Sequence, residues 1–197
     1  MNAEIRAIVG MQYLYHYYEK KMGPFKNLSD LSLYEAKAVL GKIKSENQVM
    51  AAQRFPGYLE RRAELEQIAR KMFIAKGGKP ARKVPHYMVV GECVWLQTWY
   101  EQGCFVKIPV SVLQPETISF SYGDLFPTFS TRVNDQKEYR RQIYTLSEIV
   151  SIIQKYGFPQ EWNMDGKFGP ERYIEVQVWD DKPLQVYLEI ESKTLLP

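Results

Sequence analysis

His16, Tyr122 and Glu175 are the side chains whose types would together do chemistry: an imidazole among tyrosines, a phenol at a strand end, and a carboxylate on the polar side of an alternating segment. Facing one cleft, they would suit a developing cation, because a fixed carboxylate and oriented dipoles stabilise charge that forms only in the transition state. Each also has a plainer reading. His16 would be a hydrogen-bonded core residue, Tyr122-Gly123-Asp124 a tight turn, and Glu175 with Gln177 a solvated strand face. Only their convergence would make a site.

Three further constellations compete with that one. Lys76, Lys79, Arg82 and Lys83 surround Gly77, Gly78 and Pro80, just after a segment bearing Arg61, Arg62, Arg70 and Lys71. Glycines let backbone N–H groups close on an anion, so Lys79, Arg82 and Lys83 are candidates for holding the phosphate of a nucleotide or nucleic acid. The plainer reading is a solvated basic turn. Asp124, Glu161, Glu171 and Glu175 could supply two carboxylates of split pKa for acid–base hydrolysis. Trp95, Trp99, Trp162 and Trp179, interleaved with Arg61, Arg62, Arg82 and Lys83, would make a stacking platform in a non-catalytic ligand- or nucleic-acid-binding domain. Rings at such spacings usually belong to the core.

Several classes are set aside. The chain has no phosphate-loop lysine motif, no glycine-rich dinucleotide fingerprint after a strand, and no nucleophile elbow. With only two histidines, paired-histidine metal motifs are absent, and no metal site is expected. Cys93 and Cys104, eleven residues apart, lack metal-ligand company and read as two free thiols in a reducing cytosol. A net charge of +3 does not by itself argue for nucleic acid. No charged-then-apolar leader and no apolar run near eighteen residues is present, so a cytoplasmic protein with no membrane partner is expected.

The elements that must position these groups follow from periodicity. Residues 1–22 fit either one long helix or a helix through Gln12 followed by a strand at Tyr13–Tyr18. Ser32-Leu33-Tyr34-Glu35 is a capping box that opens a helix carrying Leu33, Ala36, Leu40 and Ile43 on one face. A second helix follows Pro56-Gly57, buries Tyr58, Leu65, Ile68, Ala69, Met72 and Phe73, and stops at Gly77-Gly78. Beyond it the period shifts. Strands are predicted at His86–Val90, Phe105–Ile108, Thr117–Tyr122 and Tyr139–Tyr144, with a short helix at Cys93–Tyr100. Thr145 and Glu148 form a second capping box, before a helix ending at Gly157. Tyr173–Trp179 and Leu184–Glu191 alternate as a terminal β-hairpin turning at Asp180–Pro183. The expectation is one α+β domain over 1–197, with a helical hairpin and further helices packed on a mixed or antiparallel sheet. Its core should include Leu40, Ile43, Leu65, Val89, Ile118, Ile149, Ile153, Val176 and Val178.

On the stretches GPFKNLSDLS, YGDLFPTF and GPERYIEVQVWDD the chain resembles a group of bacterial proteins to which no activity is attached. More distantly, its order is similar to ADP-ribosyltransferases of the His-Tyr-Glu type. Leu14-Tyr15-His16-Tyr17 resembles the first element of that family, Ser119-Phe120-Ser121-Tyr122 the second, and Tyr173-Ile174-Glu175-Val176 the third; Tyr87 or Tyr144 would fill the tyrosine register equally well. The resemblance implies NAD as substrate, in a pocket between the Tyr13–Tyr18 segment and the terminal strands. His16 would hold a ribose hydroxyl, Tyr122 would stack on nicotinamide, and Glu175 would stay ionised beside the reacting ribose.

Overall fold

Tyr13–Glu19 (β1), His86–Val90 (β2), Gly103–Pro109 (β3), Ile118–Ser121 (β4) and Glu175–Val178 (β5) pair antiparallel in one open sheet of order β3-β1-β2-β5-β4. The computed structural model describes residues 9–46 and 49–188. Among the described residues, helices placed around the sheet include Leu33–Glu46 (α1), Tyr58–Ala75 (α2), Val94–Gln97 (α3), Leu125–Thr128 (α4), Leu146–Tyr156 (α5) and Pro159–Trp162 (α6). The architecture is α+β, as the pattern of periodicities predicts.

Side chains alternate across a strand, so register sorts the residues into two faces. Met88, Val176 and Phe120 lie in one row and His86, Val178 and Ile118 in the next, while Leu14 pairs with both Val90 and Ile108. Nearly all of these apolar residues are fully buried, beneath Ile149 and Ile153 of α5 and beside Phe25, Tyr122, Tyr139 and Leu184. Each such side chain contributes about 1.5–3 kcal/mol of burial free energy. The opposite face carries the row Lys107–Tyr15–Val89–Glu175–Ser121, and beside it Tyr87–Gln177–Ser119. This second face is also covered. Leu65, Ala69 and Phe73 of α2 pack over one part of it with Trp179, and α3 packs over the other with Tyr15, Tyr17, Val89 and Tyr173.

Local chemistry explains the helix boundaries. Thr145 accepts from the Glu148 N–H while Glu148 accepts from the Thr145 N–H, and Gly157 ends α5 with φ 74°. The same reciprocal pair joins Ser32 and Glu35 at the start of α1. The helical hairpin is present as α1 and α2.

Three expectations are corrected. Residues 182–184 form a 3-10 turn and 185–188 continue as helix, so the terminal hairpin does not form there; residues 189–191 lie outside the described residues. Pro183 sits in the first turn, where its missing N–H costs nothing. Leu184 is buried and packs with Tyr187 and Leu188, a helical spacing, whereas Val186 is 67% exposed. Tyr139–Tyr144 is a turn that touches the sheet only through an isolated bridge between Phe120 and Tyr144. Ile43 is half-buried, because α1 buries only Ala36 and Leu40. Of the two readings for residues 1–22, Tyr13–Glu19 is strand and residues 9–10 are helical, with 1–8 outside the described residues.

Candidate active site

The polar face of β5 is threaded by a directed hydrogen-bond chain. Trp179 donates its indole N–H to Ser119 Oγ at 2.9 Å, Ser119 donates to Gln177 Oε1 at 2.8 Å, and the Gln177 amide donates to Glu175 Oε1 at 3.0 Å and to Ser121 Oγ at 3.2 Å. Buried polar groups are costly unless paired, and here the Gln177 amide is oriented by its neighbours so that its N–H reaches Glu175. Glu175 sits at a seam. Its neighbour Val89 packs with the α3 cluster, while Tyr87, two residues earlier on β2, packs with the α2 cluster.

Asp124 is the second carboxylate of this seam. It follows Gly123, whose φ of 108° belongs to glycine and whose absent Cβ leaves room for Glu171 at 3.4 Å. The turn lets Asp124 cap α4: Oδ1 accepts the Phe126 N–H at 2.7 Å and Oδ2 accepts the Tyr173 hydroxyl at 3.0 Å. Burial first, and then the nearby Asp124 charge, holds Glu175 well above the usual carboxylate range; Gln177 and Arg62 oppose this. Burial also raises Asp124, against the Phe126 N–H, Tyr173, Arg62 and Arg54. Asp124 accepts from two donors and Glu175 from one, so the ionised form is better supported at Asp124.

Helix α2 closes one wall with charged groups at helical spacing. Arg62 donates to Glu66 Oε1 at 2.9 Å, Ser29 Oγ at 2.9 Å, Asn27 Oδ1 at 2.8 Å and the Tyr58 hydroxyl at 3.0 Å, and lies 4.6 Å over the Tyr87 ring. Tyr87 donates its hydroxyl to the same Glu66 oxygen at 2.8 Å. Glu66 is 1% exposed, and its other oxygen has no partner among the described residues. Arg54 lies 4.4 Å over Tyr58, whose ring stacks on Phe126 at 5.0 Å.

The predicted triad is not brought together. His16 shares the apolar face with Leu14, opposite to Glu175. Its Nδ1–H donates to the Tyr87 carbonyl and its Nε2 accepts the Phe25 N–H, both at 2.8 Å, with the Phe25 ring stacked on it at 4.2 Å. Burial lowers it to about 4, so it is a neutral structural imidazole. Tyr122 is fully enclosed, donates to the Gly157 carbonyl at 2.9 Å and packs on Tyr139. The setting of Glu175 also differs from the ionised group expected: burial favours its neutral form.

The basic loop is occupied by internal partners. Arg82 ion-pairs with Asp30 and Asp181 and donates to the Val84 carbonyl at 3.0 Å, so its guanidinium is engaged within the chain. Asp181 also accepts from His86 at 2.8 Å; burial outweighs Asp181 and lowers His86, making this a hydrogen bond to a neutral ring. Lys79 and Lys83 are exposed. Glu171 is bound to Arg140 and Glu161 is exposed on α6, so of the four acids Asp124 and Glu175 are the pair that interact, through charge. The tryptophans do not form one platform. Trp179 is core, Trp162 packs on the other face, and Trp95 meets Trp99 edge-on beneath Arg172 at 3.9 Å. Cys93 and Cys104 are free thiols.

Arg54, Arg62, Glu66, Tyr87 and Tyr173 were not picked out as a group from sequence. Glu66 had a legible signal, since it falls on the apolar stripe between Leu65 and Ala69, four residues after Arg62. Among the described residues no cluster of three or more His, Cys, Asp or Glu is arranged to hold a metal ion, and no helix is long and apolar enough to cross a membrane. Comparison of the chain with protein-family models, with curated proteins and with solved structures finds no match.

Proposed function

We propose that Glu175 and Asp124 form an acid–base pair that breaks a glycosidic bond, O- or N-linked, in a small polar substrate. The observation that carries this reading is the unequal setting of two buried carboxyls: Glu175 is raised well above its ordinary range by burial and by Asp124, while Asp124 accepts from the Phe126 N–H and the Tyr173 hydroxyl. Two carboxyls with separated proton affinities are what such cleavage needs. Glu175 gives its proton to the leaving oxygen or nitrogen as the bond to the sugar carbon breaks. Asp124 stabilises the oxocarbenium charge that develops. Water then adds, and its proton returns to Glu175. The half-buried Tyr58 and Phe126 rings stack on one another beside the Asp124-capped turn and suit a flat sugar or base. The reading keeps the C–N chemistry of NAD cleavage as one member of the class, without roles for His16 or Tyr122.

The test is product release from NAD, nucleosides and aryl glycosides by wild type, Glu175→Gln and Asp124→Asn. Glu175→Gln keeps shape and a neutral donor but has no proton to transfer, so turnover should fall about 10²–10⁴-fold with binding little changed. Equal turnover in both proteins sinks the proposal. A non-catalytic binding module is the second reading, favoured by the burial of Glu175 at 7% exposure. Binding of those compounds by calorimetry, without turnover in any of them, would select it.

A further inference from the structure

Arg54 is the one cation of this site whose guanidinium, among the described residues, has neither an ion-pair partner nor a hydrogen bond. It is half-buried over the Tyr58 ring at 4.4 Å, and burial pulls it below its ordinary value. The other arginines nearby are spent: Arg62 on Glu66, Ser29, Asn27 and Tyr58, Arg61 on Glu64 and the Phe129 carbonyl, Arg82 on two aspartates. Asp124, its closest carboxylate by electrostatic influence, has both oxygens taken by Phe126 and Tyr173. The Arg54–Tyr58–Phe126 stack runs from this unspent guanidinium to the residues beside Asp124.

A partly desolvated arginine without a partner is unfavourable in the free protein, and its planar fork of donors is relieved by an oxyanion bound edge-on. We infer that Arg54 recognises an anionic group on the substrate, a phosphate or a carboxylate, held next to the ring that Tyr58 and Phe126 favour. The inference takes the site's location from the acid–base reading but does not need its chemistry. Arg54 is thereby a specificity residue.

Two matched ligand pairs test this by calorimetry: AMP against adenosine, and glucuronate against glucose. In wild type the anionic member of at least one pair should bind about tenfold tighter than its neutral partner, the effect of one charge-assisted bidentate contact. Arg54→Gln should erase that difference and leave the neutral compound's affinity unchanged, and Arg54→Lys should restore part of it. The preferred pair tells phosphate from carboxylate. Arg54 gives up only its contact with Tyr58, so both variants should melt as wild type does. Glu175→Gln separates the two proposals, since it removes turnover while the anion preference persists. An anion preference lost in Arg54→Gln stands even when no compound is turned over. Equal affinities within both pairs, no binding of any of the four, or a preference unchanged in Arg54→Gln overturns the inference.

Discussion

Replacing His16 by Phe should cost stability at neutral pH and progressively less in acid. The imidazole fits between a carbonyl and an N–H, donating to Tyr87 and accepting from Phe25, each at 2.8 Å. A second proton can enter only at Nε2, where the Phe25 N–H already points. Protonation is therefore opposed both by burial and by loss of an acceptor, and the group falls from 6.5 to about 4. At ~1.4 kcal/mol per pH unit this amounts to about 3 kcal/mol. The sign follows from the unfolded chain binding the proton first. Stability is intact above pH 6.5, declines as pH falls below it, and the loss is complete below about 4. In His16→Phe the ring still stacks on Phe25, but the Phe25 N–H and the Tyr87 carbonyl lose their partners, at about 1–3 kcal/mol each. Urea unfolding at stepped pH from 8 to 4 would measure the gap between the two proteins. The gap should be several kcal/mol at the top of the range and shrink by about 3 kcal/mol at the bottom. A gap independent of pH would refute the neutral-imidazole argument, since His86 and every other titrating group remain in both proteins.

Two further outcomes are expected from the polar face. Glu175→Gln should leave stability near wild type at pH 4 and raise it increasingly toward pH 8: a carboxyl raised by burial gives stability below its unfolded value of 4.5 that is lost as pH climbs through the folded value. Melting temperatures across that range check it, and a variant less stable at every pH would show Glu175 to be a needed anion. Arg62→Lys keeps the charge but cannot span Glu66, Ser29, Asn27 and Tyr58 at once. With Glu66 left short of a donor in the interior, a loss of about 3–5 kcal/mol is expected by chemical denaturation; an unchanged midpoint would place the Glu66 charge in solvent.

The apolar side of the sheet was legible because period-2 alternation and burial agree there: Val176, Val178 and Ile118 all lie inside. The helices at both capping boxes were legible for a similar reason, as the cap and the stripe reinforce one another. Leu184–Leu188 misled because Leu-x-Val-x-Leu is compatible with both periods, and only contacts with the core choose between them. Glu175 was identified as a chemistry-bearing residue, but its partner was assigned by chain order to His16. A one-residue difference in strand parity puts those two on opposite faces, and parity follows from cross-strand register rather than from any local pattern. Arg82 read as a free cation because Asp30 and Asp181 are distant in sequence and close only in the fold.

The polar face is hard to account for by stability alone. Burying carboxylates and guanidinium groups costs several kcal/mol per ion before pairing, and apolar residues of similar volume often do as well or better. The same chain shows that alternative three to four ångströms of backbone away, where Met88, Val176 and Phe120 fill one row with no polar atoms to satisfy. On the other face the row through Val89 carries Glu175 and Ser121, backed by Gln177, Ser119 and the Trp179 indole, with Asp124 and Arg62 at its edge. Each polar group there is oriented by the next, and the chain ends with the Gln177 amide donating to Glu175. A buried glutamate raised well above its ordinary range, near an aspartate held by a backbone N–H and a phenol, is costly to build, and the acid–base pair proposed above gives it a use.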